Sequence, residues 1–365
     1  MNLEQKIGQL LMVGFNGLSS TREIKELITE YHIGGVILFE RNIKSPLQIA
    51  KLCQELQSAS PEIPLFIAID QEGGKGFSRL KAPFTLFPGN HALGECFLKT
   101  KSIKLAYQFG EVTAKELNAV GINFNLAPVL DVNTNPKNPI IGKRAFGDDS
   151  HLVSELGLAV IAGLQDNKVI ACGKHFPGHG DTAVDSHKEL PVVDHDLKRL
   201  CKVELRPFEH AVKNGLRTVM TAHVLYPQLD KKFPATLSGR IVDGLLREKL
   251  DFEGLVISDD LEMGAIAKNF EIEEAAVKAV KAGIDILLIS HHPDKQKQVF
   301  RAILNAVEQG KIPEERIDLS WEWIIGLKKR FLCPYEPLEA ETIKQIVGAP
   351  EHQETAREIN KYCRA

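Results

Sequence analysis

The densest concentration of reactive side chains is Lys174–His187, KHFPGHGDTAVDSH, which holds a lysine, three histidines and two aspartates. Asp185 and His187 stand two apart, so in an extended segment their side chains project to the same side. A carboxylate beside an imidazole raises the ring's pKa and fixes its tautomer, which makes a general acid/base pair. A loop-stabilising Asp–His hydrogen bond would use the same two residues. His175 and His179 have the four-residue spacing of a helical metal site, but Pro177 and Gly178 between them break a helix. In VISDDLEMGAI, Val256–Ile266, Asp259 is a carboxylate that can attack an anomeric carbon or stabilise a cation there. Its neighbour Asp260 has the character of a helix N-cap. DQEGG, Asp70–Gly74, offers a carboxylate suited to accepting two sugar hydroxyls, followed by glycines for a tight turn. Asp194–Asp196, DHD, has the character of a solvated turn or a helix start.

These residues need strands to aim them. Apolar runs occur at Gly8–Phe15, Gly34–Phe39, Pro64–Asp70, Ile122–Val129, Val169–His175, Thr218–His223, Gly254–Ser258 and Asp285–Ser290. Polar, helix-like stretches lie between most of them, such as Ser20–Tyr31 (capped by Ser19 or Ser20), Ser45–Ser58 and Ile103–Val120. Near-continuous apolar strands with crossover helices indicate a parallel sheet covered on both faces. Eight of them predict an α/β fold of the (β/α)8 TIM-barrel type in a single domain. An open doubly wound sheet is the structural alternative, but no GxGxxG follows the first strand. The barrel is expected over residues 1–335, with 336–365 a helical tail packed on it. Asp70, Asp131, Lys174, His175, His223, Asp259, Asp260, His291 and His292 all fall at strand ends, and in a barrel those ends share the face that carries chemistry.

The 365 residues are 44% hydrophobic and 25% charged with a formal net charge of −3, which excludes a disordered or fibrous chain and a basic field for nucleic acid or anionic membrane. There is no apolar run long enough to span a bilayer. The start, MNLEQKIGQLLMVGF, lacks a basic leader region and a small-residue cleavage site, and six scattered cysteines form no CxxC pair. A cytoplasmic monomer is expected, acting on a small molecule without metal or organic cofactor.

At these residues the sequence resembles glycoside hydrolase family 3, specifically its single-domain bacterial β-N-acetylhexosaminidases of cell-wall recycling. The segments that carry the resemblance are KIGQLLMVGF, GGVILF, IAIDQEGG, LAPVLDVNTNPKNPIIGKRAFGDD, KHFPGHGDTAVDSH, TAHV, PATLS and VISDDLEMGAI. The resemblance implies Asp259 as nucleophile, His187 as acid/base with Asp185 as its partner, and Asp70, Arg144, Lys174 and His175 as ligands of an N-acetylglucosamine ring. It implies Arg79 as a further ligand, although KGFS separates the glycine pair from Arg79 by one residue more than the family pattern. The implied reaction is exo-acting, retaining removal of terminal N-acetylglucosamine from muropeptide fragments through a covalent glycosyl-enzyme. Three other readings stay open: phosphorolysis on the same scaffold, a metal-dependent barrel hydrolase using His175, His179, His223 and an aspartate, and a sugar-binding protein without catalysis.

Overall fold

A computed structural model describes residues 1–363. The strands are β1 (Leu11–Gly14), β2 (Gly35–Leu38), β3 (Phe66–Ile69), β4 (Phe124–Asn125), β5 (Ile170–Phe176), β6 (Thr218–Thr221), β7 (Leu255–Asp260) and β8 (Ile286–Ile289). All neighbours pair in parallel, and β8 returns to β1 through Leu11↔Leu287, Met12↔Leu288 and Val13↔Ile289, closing the barrel. The expected (β/α)8 architecture is the one observed. Strand residues are buried almost throughout, because the barrel's interior packs one face and the surrounding helices the other.

The outer layer runs α1 (Leu3–Gln9), α2 (Arg22–Thr29), α3 (Pro46–Ser58), α4 (Asn90–Thr100), α5 (Lys104–Ala119), α6 (Ser150–Asp166), α7 (Leu197–Lys202) and α8 (Arg206–Lys213). After a wide-turn helical segment, Arg240–Lys249, come α9 (Gly264–Ala267), α10 (Ile272–Lys281), α11 (Pro293–Glu308) and α12 (Glu314–Leu332). Two further helices, α13 (Ala340–Ile346) and α14 (Pro350–Asn360), lie against α3, α4 and α5.

Three local expectations are corrected. Gly8 and Gln9 belong to α1 rather than to the first strand, because Asn2 and Gln5 form a reciprocal capping box that starts a helix there. β4 keeps only two ladder residues of the expected Ile122–Val129; Pro128 cannot donate to a ladder, and the Asn123 and Asn125 side chains accept the N–H groups of Ile67 and Gln71 instead. The cap of α2 is Thr21, whose hydroxyl accepts the Ile24 N–H, while Ser20 bonds to Glu55.

At the barrel's N-terminal end α12 projects the fully buried Lys328. Its Nζ donates to Gln9 Oε1 and to the Gly34 carbonyl, each at 2.7 Å, over the face of Phe66, and burial pushes its pKa well below the ordinary lysine value.

Candidate active site

A pocket opens at the C-terminal ends of the strands, with a volume of about 540 Å³ including its mouth. Asp70, Arg79, Arg144, Lys174, His175, His187 and Asp259 all line it.

β5 supplies the most. Lys174 and His175 come from its C-terminal end, and both are buried. Lys174 Nζ lies 2.7 Å from Asp70 Oδ1 and 2.6 Å from Glu72 Oε1. Burial alone would lower the lysine's pKa, but the two carboxylates outweigh it and hold the group charged. Arg144, from the long β4–α6 connection, grips Glu72 with both arms of its fork, Nε–Oε2 at 2.9 Å and Nη2–Oε1 at 2.8 Å. Burial would raise the pKa of Glu72, yet Arg144 and Lys174 hold it far below the usual carboxylate range. Asp70, in turn, stands 3.8 Å from Arg79 Nη2. A carboxylate and three cations thus face one small volume, with Glu72 beneath them as counter-charge.

His175 is oriented from below. Its Nδ1 lies 2.7 Å from Asp131 Oδ2, and the other Asp131 oxygen accepts the His175 and His179 backbone N–H groups at 3.2 and 2.6 Å. Its Nε2 is left near Arg144 at 3.4 Å, facing the pocket. An imidazole held this way has a fixed tautomer and a fixed direction.

Asp259 ends β7. Burial pushes its pKa up, but His223, His175 and the Asp260 N–H, 2.8 Å from Asp259 Oδ1, hold it below the ordinary aspartate value. Asp260 is the reverse: burial lifts it to about 7. Its carboxylate accepts the Glu262 N–H at 3.0 Å. It is not the N-cap of a helix; α9 begins later, with Met263 in the cap position, because the intervening turn consumes the spacing.

The segment after β5 carries the third part. His187 Nδ1 lies 2.9 Å from Asp185 Oδ1, which also accepts the His187 backbone N–H at 2.9 Å. Burial raises the Asp185 pKa, and His187 more than reverses this. The imidazole is more than half exposed at 56% side-chain accessibility, so its other nitrogen is free to meet a ligand. Beneath it, the buried His179 bridges Thr182 Oγ1 at 2.8 Å and Ser186 Oγ at 2.9 Å. Burial, then His175, brings His179 down to about 4, so it is neutral and acts as a post for the loop. The loop also rests on the start of α9, where Gly264 N–H and Ala265 N–H donate to the His187 and Ser186 carbonyls at 3.1 Å each. Those are N–H groups that a helix start leaves unpaired. A Cβ on Gly264 would stand 2.7 Å from the His187 and Lys188 carbonyl oxygens, so this approach needs glycine. Asp196 caps α7, and His195 pairs with Asp181 at 2.6 Å at the base of the loop.

The sequence reading passed over Glu72 and left Asp131 without a role. The signal for Glu72 was present: three cations had been gathered around one carboxylate, and a buried group of that charge needs a further anion. Asp131 needs contact geometry, since nothing in its spacing ties it to His175. Among the described residues no group of three or more His, Cys, Asp or Glu side chains has metal-holding geometry. His175, His179 and His223 spend ring nitrogens on Asp131, Thr182, Ser186, Thr236 and the Asp260 carbonyl.

The glycosyl hydrolase family 3 N-terminal domain matches residues 2–327. The chain is 37% identical over 359 residues to β-hexosaminidase A of Pseudoalteromonas piscicida, covering 92% of this chain but only 60% of that relative. It is 39% identical over 292 residues to a β-hexosaminidase of Thiobacillus denitrificans, covering 80% of each. A glycoside hydrolase family 3 β-N-acetylglucosaminidase from Paenibacillus superposes with a TM-score of 0.92 at 45% identity, over 99% of this chain and 69% of that one. With the family model matching most of the chain and relatives of more than 30% identity running along it, the chain belongs to glycosyl hydrolase family 3 and groups there with the β-hexosaminidases.

Proposed function

We propose that the chain is an exo-acting, retaining β-N-acetylglucosaminidase. The observation that carries this reading is the meeting, in one pocket, of an ionised strand-end Asp259 with the exposed imidazole of the Asp185–His187 pair. Asp259 attacks the anomeric carbon while His187, protonated on the nitrogen that Asp185 does not hold, gives its proton to the departing oxygen. The C1–O bond breaks and a glycosyl–Asp259 ester forms. His187, now neutral, takes a proton from water as the water oxygen attacks C1. The ester breaks, Asp259 leaves as carboxylate, and the product keeps the β configuration. Asp70, Arg79, Arg144, Lys174 and His175 hold the hydroxyl and acetamido groups of the ring. Five polar groups around so small a volume enclose a single terminal sugar, which supports the exo mode.

Muropeptide fragments are the proposed substrates, on the strength of the resemblance. The six cysteines are all free thiols, which favours the reducing cytoplasm. No helix among the described residues is long and apolar enough to cross a membrane.

The test is turnover of an aryl β-N-acetylglucosaminide with and without phosphate. Free N-acetylglucosamine at a phosphate-independent rate supports hydrolysis. A sugar phosphate as product replaces this reading with phosphorolysis. On N-acetylglucosamine oligomers and N-acetylglucosaminyl-anhydromuramyl fragments, the monosaccharide should be the first product. Early internal oligomers, or a preference for unsubstituted β-glucosides, would overturn it.

A further inference from the structure

The connection between β3 and α4 brings Glu72, Phe77 and Arg79 to the pocket. Arg79 is loosely held by its own side chain. Its nearest carboxylate oxygen is 3.8 Å away, beyond hydrogen-bond distance, and its buried Nε has no partner among the described residues. Apart from the Phe39 ring, whose centroid lies 5.7 Å from its guanidinium carbon, its position comes from its backbone. Near the strand, the Gln71 side-chain oxygen accepts the Arg79 and Leu80 N–H groups at 3.0 and 3.2 Å. Farther along, the connection is held by Glu116, a buried residue of α5. One Glu116 oxygen accepts the Thr85 N–H at 2.8 Å and the other the Thr85 hydroxyl at 2.6 Å.

The same carboxylate faces the C-terminal helices. It accepts the Gly348 N–H at 2.9 Å and stands 2.9 Å from Nδ1 of the buried His352 in α14. Gly348, between α13 and α14, has a φ of +70°, and a Cβ there would collide with the Pro83 carbonyl of the β3–α4 connection. Two donors from the connection and two from the tail thus converge on one buried acid. An acid buried this deeply is retained only while its donors are in place. A tail that merely covered apolar surface would need no such acid.

We propose that α13 and α14 position the sugar-binding connection, with Glu116 as the clasp and His352 as a positioning residue that acts through it. This rests on the function proposed above and assigns the tail a part in substrate binding. Asp259 sits in β7 and the Asp185–His187 pair on the connection after β5, so loosening the clasp acts on binding more than on chemistry.

The test uses the full chain. His352→Phe keeps a buried ring and removes the donor, while Glu116→Gln keeps the volume and removes the charge; the first decides the matter if the second fails to fold. Amide hydrogen exchange over residues 74–87 is expected to quicken about tenfold or more in His352→Phe, with residues 181–187 unchanged. KM for an aryl β-N-acetylglucosaminide should rise about tenfold with kcat within about twofold. His352→Gln, whose amide also donates, should recover part of both. A lower melting temperature with unchanged KM and unchanged exchange over 74–87 would overturn the proposal, since that is the behaviour of a tail that only stabilises. If the unaltered protein turns over no N-acetylglucosaminide, the proposed function falls, and the exchange comparison still decides whether the clasp holds the connection.

Discussion

Asp259 and Asp260 are adjacent in sequence and are driven apart by their surroundings. Imidazoles and a backbone N–H keep the first ionised, whereas burial lifts the second to about 7. Asp259→Ala should therefore cut turnover by about three orders of magnitude or more, and Asp260→Asn by far less, in steady-state kinetics. The reverse order would reassign the nucleophile. Asp260 also carries a pH signature. Its folded pKa lies above the unfolded value of 3.8, so its ionisation opposes folding increasingly as pH rises from about 4 to 7. Asp260→Asn removes that cost and keeps an oxygen for the Glu262 N–H. Its melting temperature relative to the parent should climb between pH 5 and pH 8, and a difference constant over that range would contradict the assignment. Glu72 works in the opposite sense, as the counter-charge for Arg144 and Lys174. Glu72→Gln leaves two buried cations short of an anion, which costs about 3–5 kcal/mol of stability, and denaturant unfolding together with KM would register it. At this scale the sequence displayed the residue types at strand ends, because strand polarity sends those ends to one face. It did not display the contacts of Glu72 and Asp131, which join segments far apart in the chain.

At the scale of elements, the arrangement depends on how the segment after β5 is seated. Its carbonyls take the first N–H groups of α9, and Gly264 lets the two approach. Gly264→Ala should push the His187 backbone away without touching any reacting group. The expected loss falls on substrates with poor leaving groups, which need protonation, and spares activated aryl substrates; His187→Ala should show the same pattern more strongly. Comparing a nitrophenyl glycoside with a disaccharide in the two variants checks this, and equal losses on both substrates would make His187 a binding residue rather than an acid. The strands were legible because parallel strands are apolar on both faces. α1 was less so: a short apolar stretch fits strand or helix equally, and the capping box at Asn2 decided it. β4 was overextended because side-chain amides, which period alone cannot reveal, replace part of its ladder.

The whole molecule is a closed ring with a working face and an opposite floor, and the floor has its own requirement. The family match ends at residue 327, one position before Lys328. The Lys328 side-chain nitrogen, whose pKa burial pushes well below the ordinary lysine value, fills the N-terminal mouth of the barrel and donates to Gln9 and Gly34, groups contributed by α1 and by the residue preceding β2. A fragment trimmed to the family boundary would lose that plug and leave two buried acceptors open, at about 1–3 kcal/mol each, beside a hollow lined by Phe66. Residues 1–327 should accordingly bind a hydrophobic dye and unfold over a broad temperature range, whereas the full chain should melt sharply in calorimetry. Anyone transplanting this barrel into a fusion, or recombining it with a relative's strands, must therefore carry the lysine together with its two acceptors as one heritable unit.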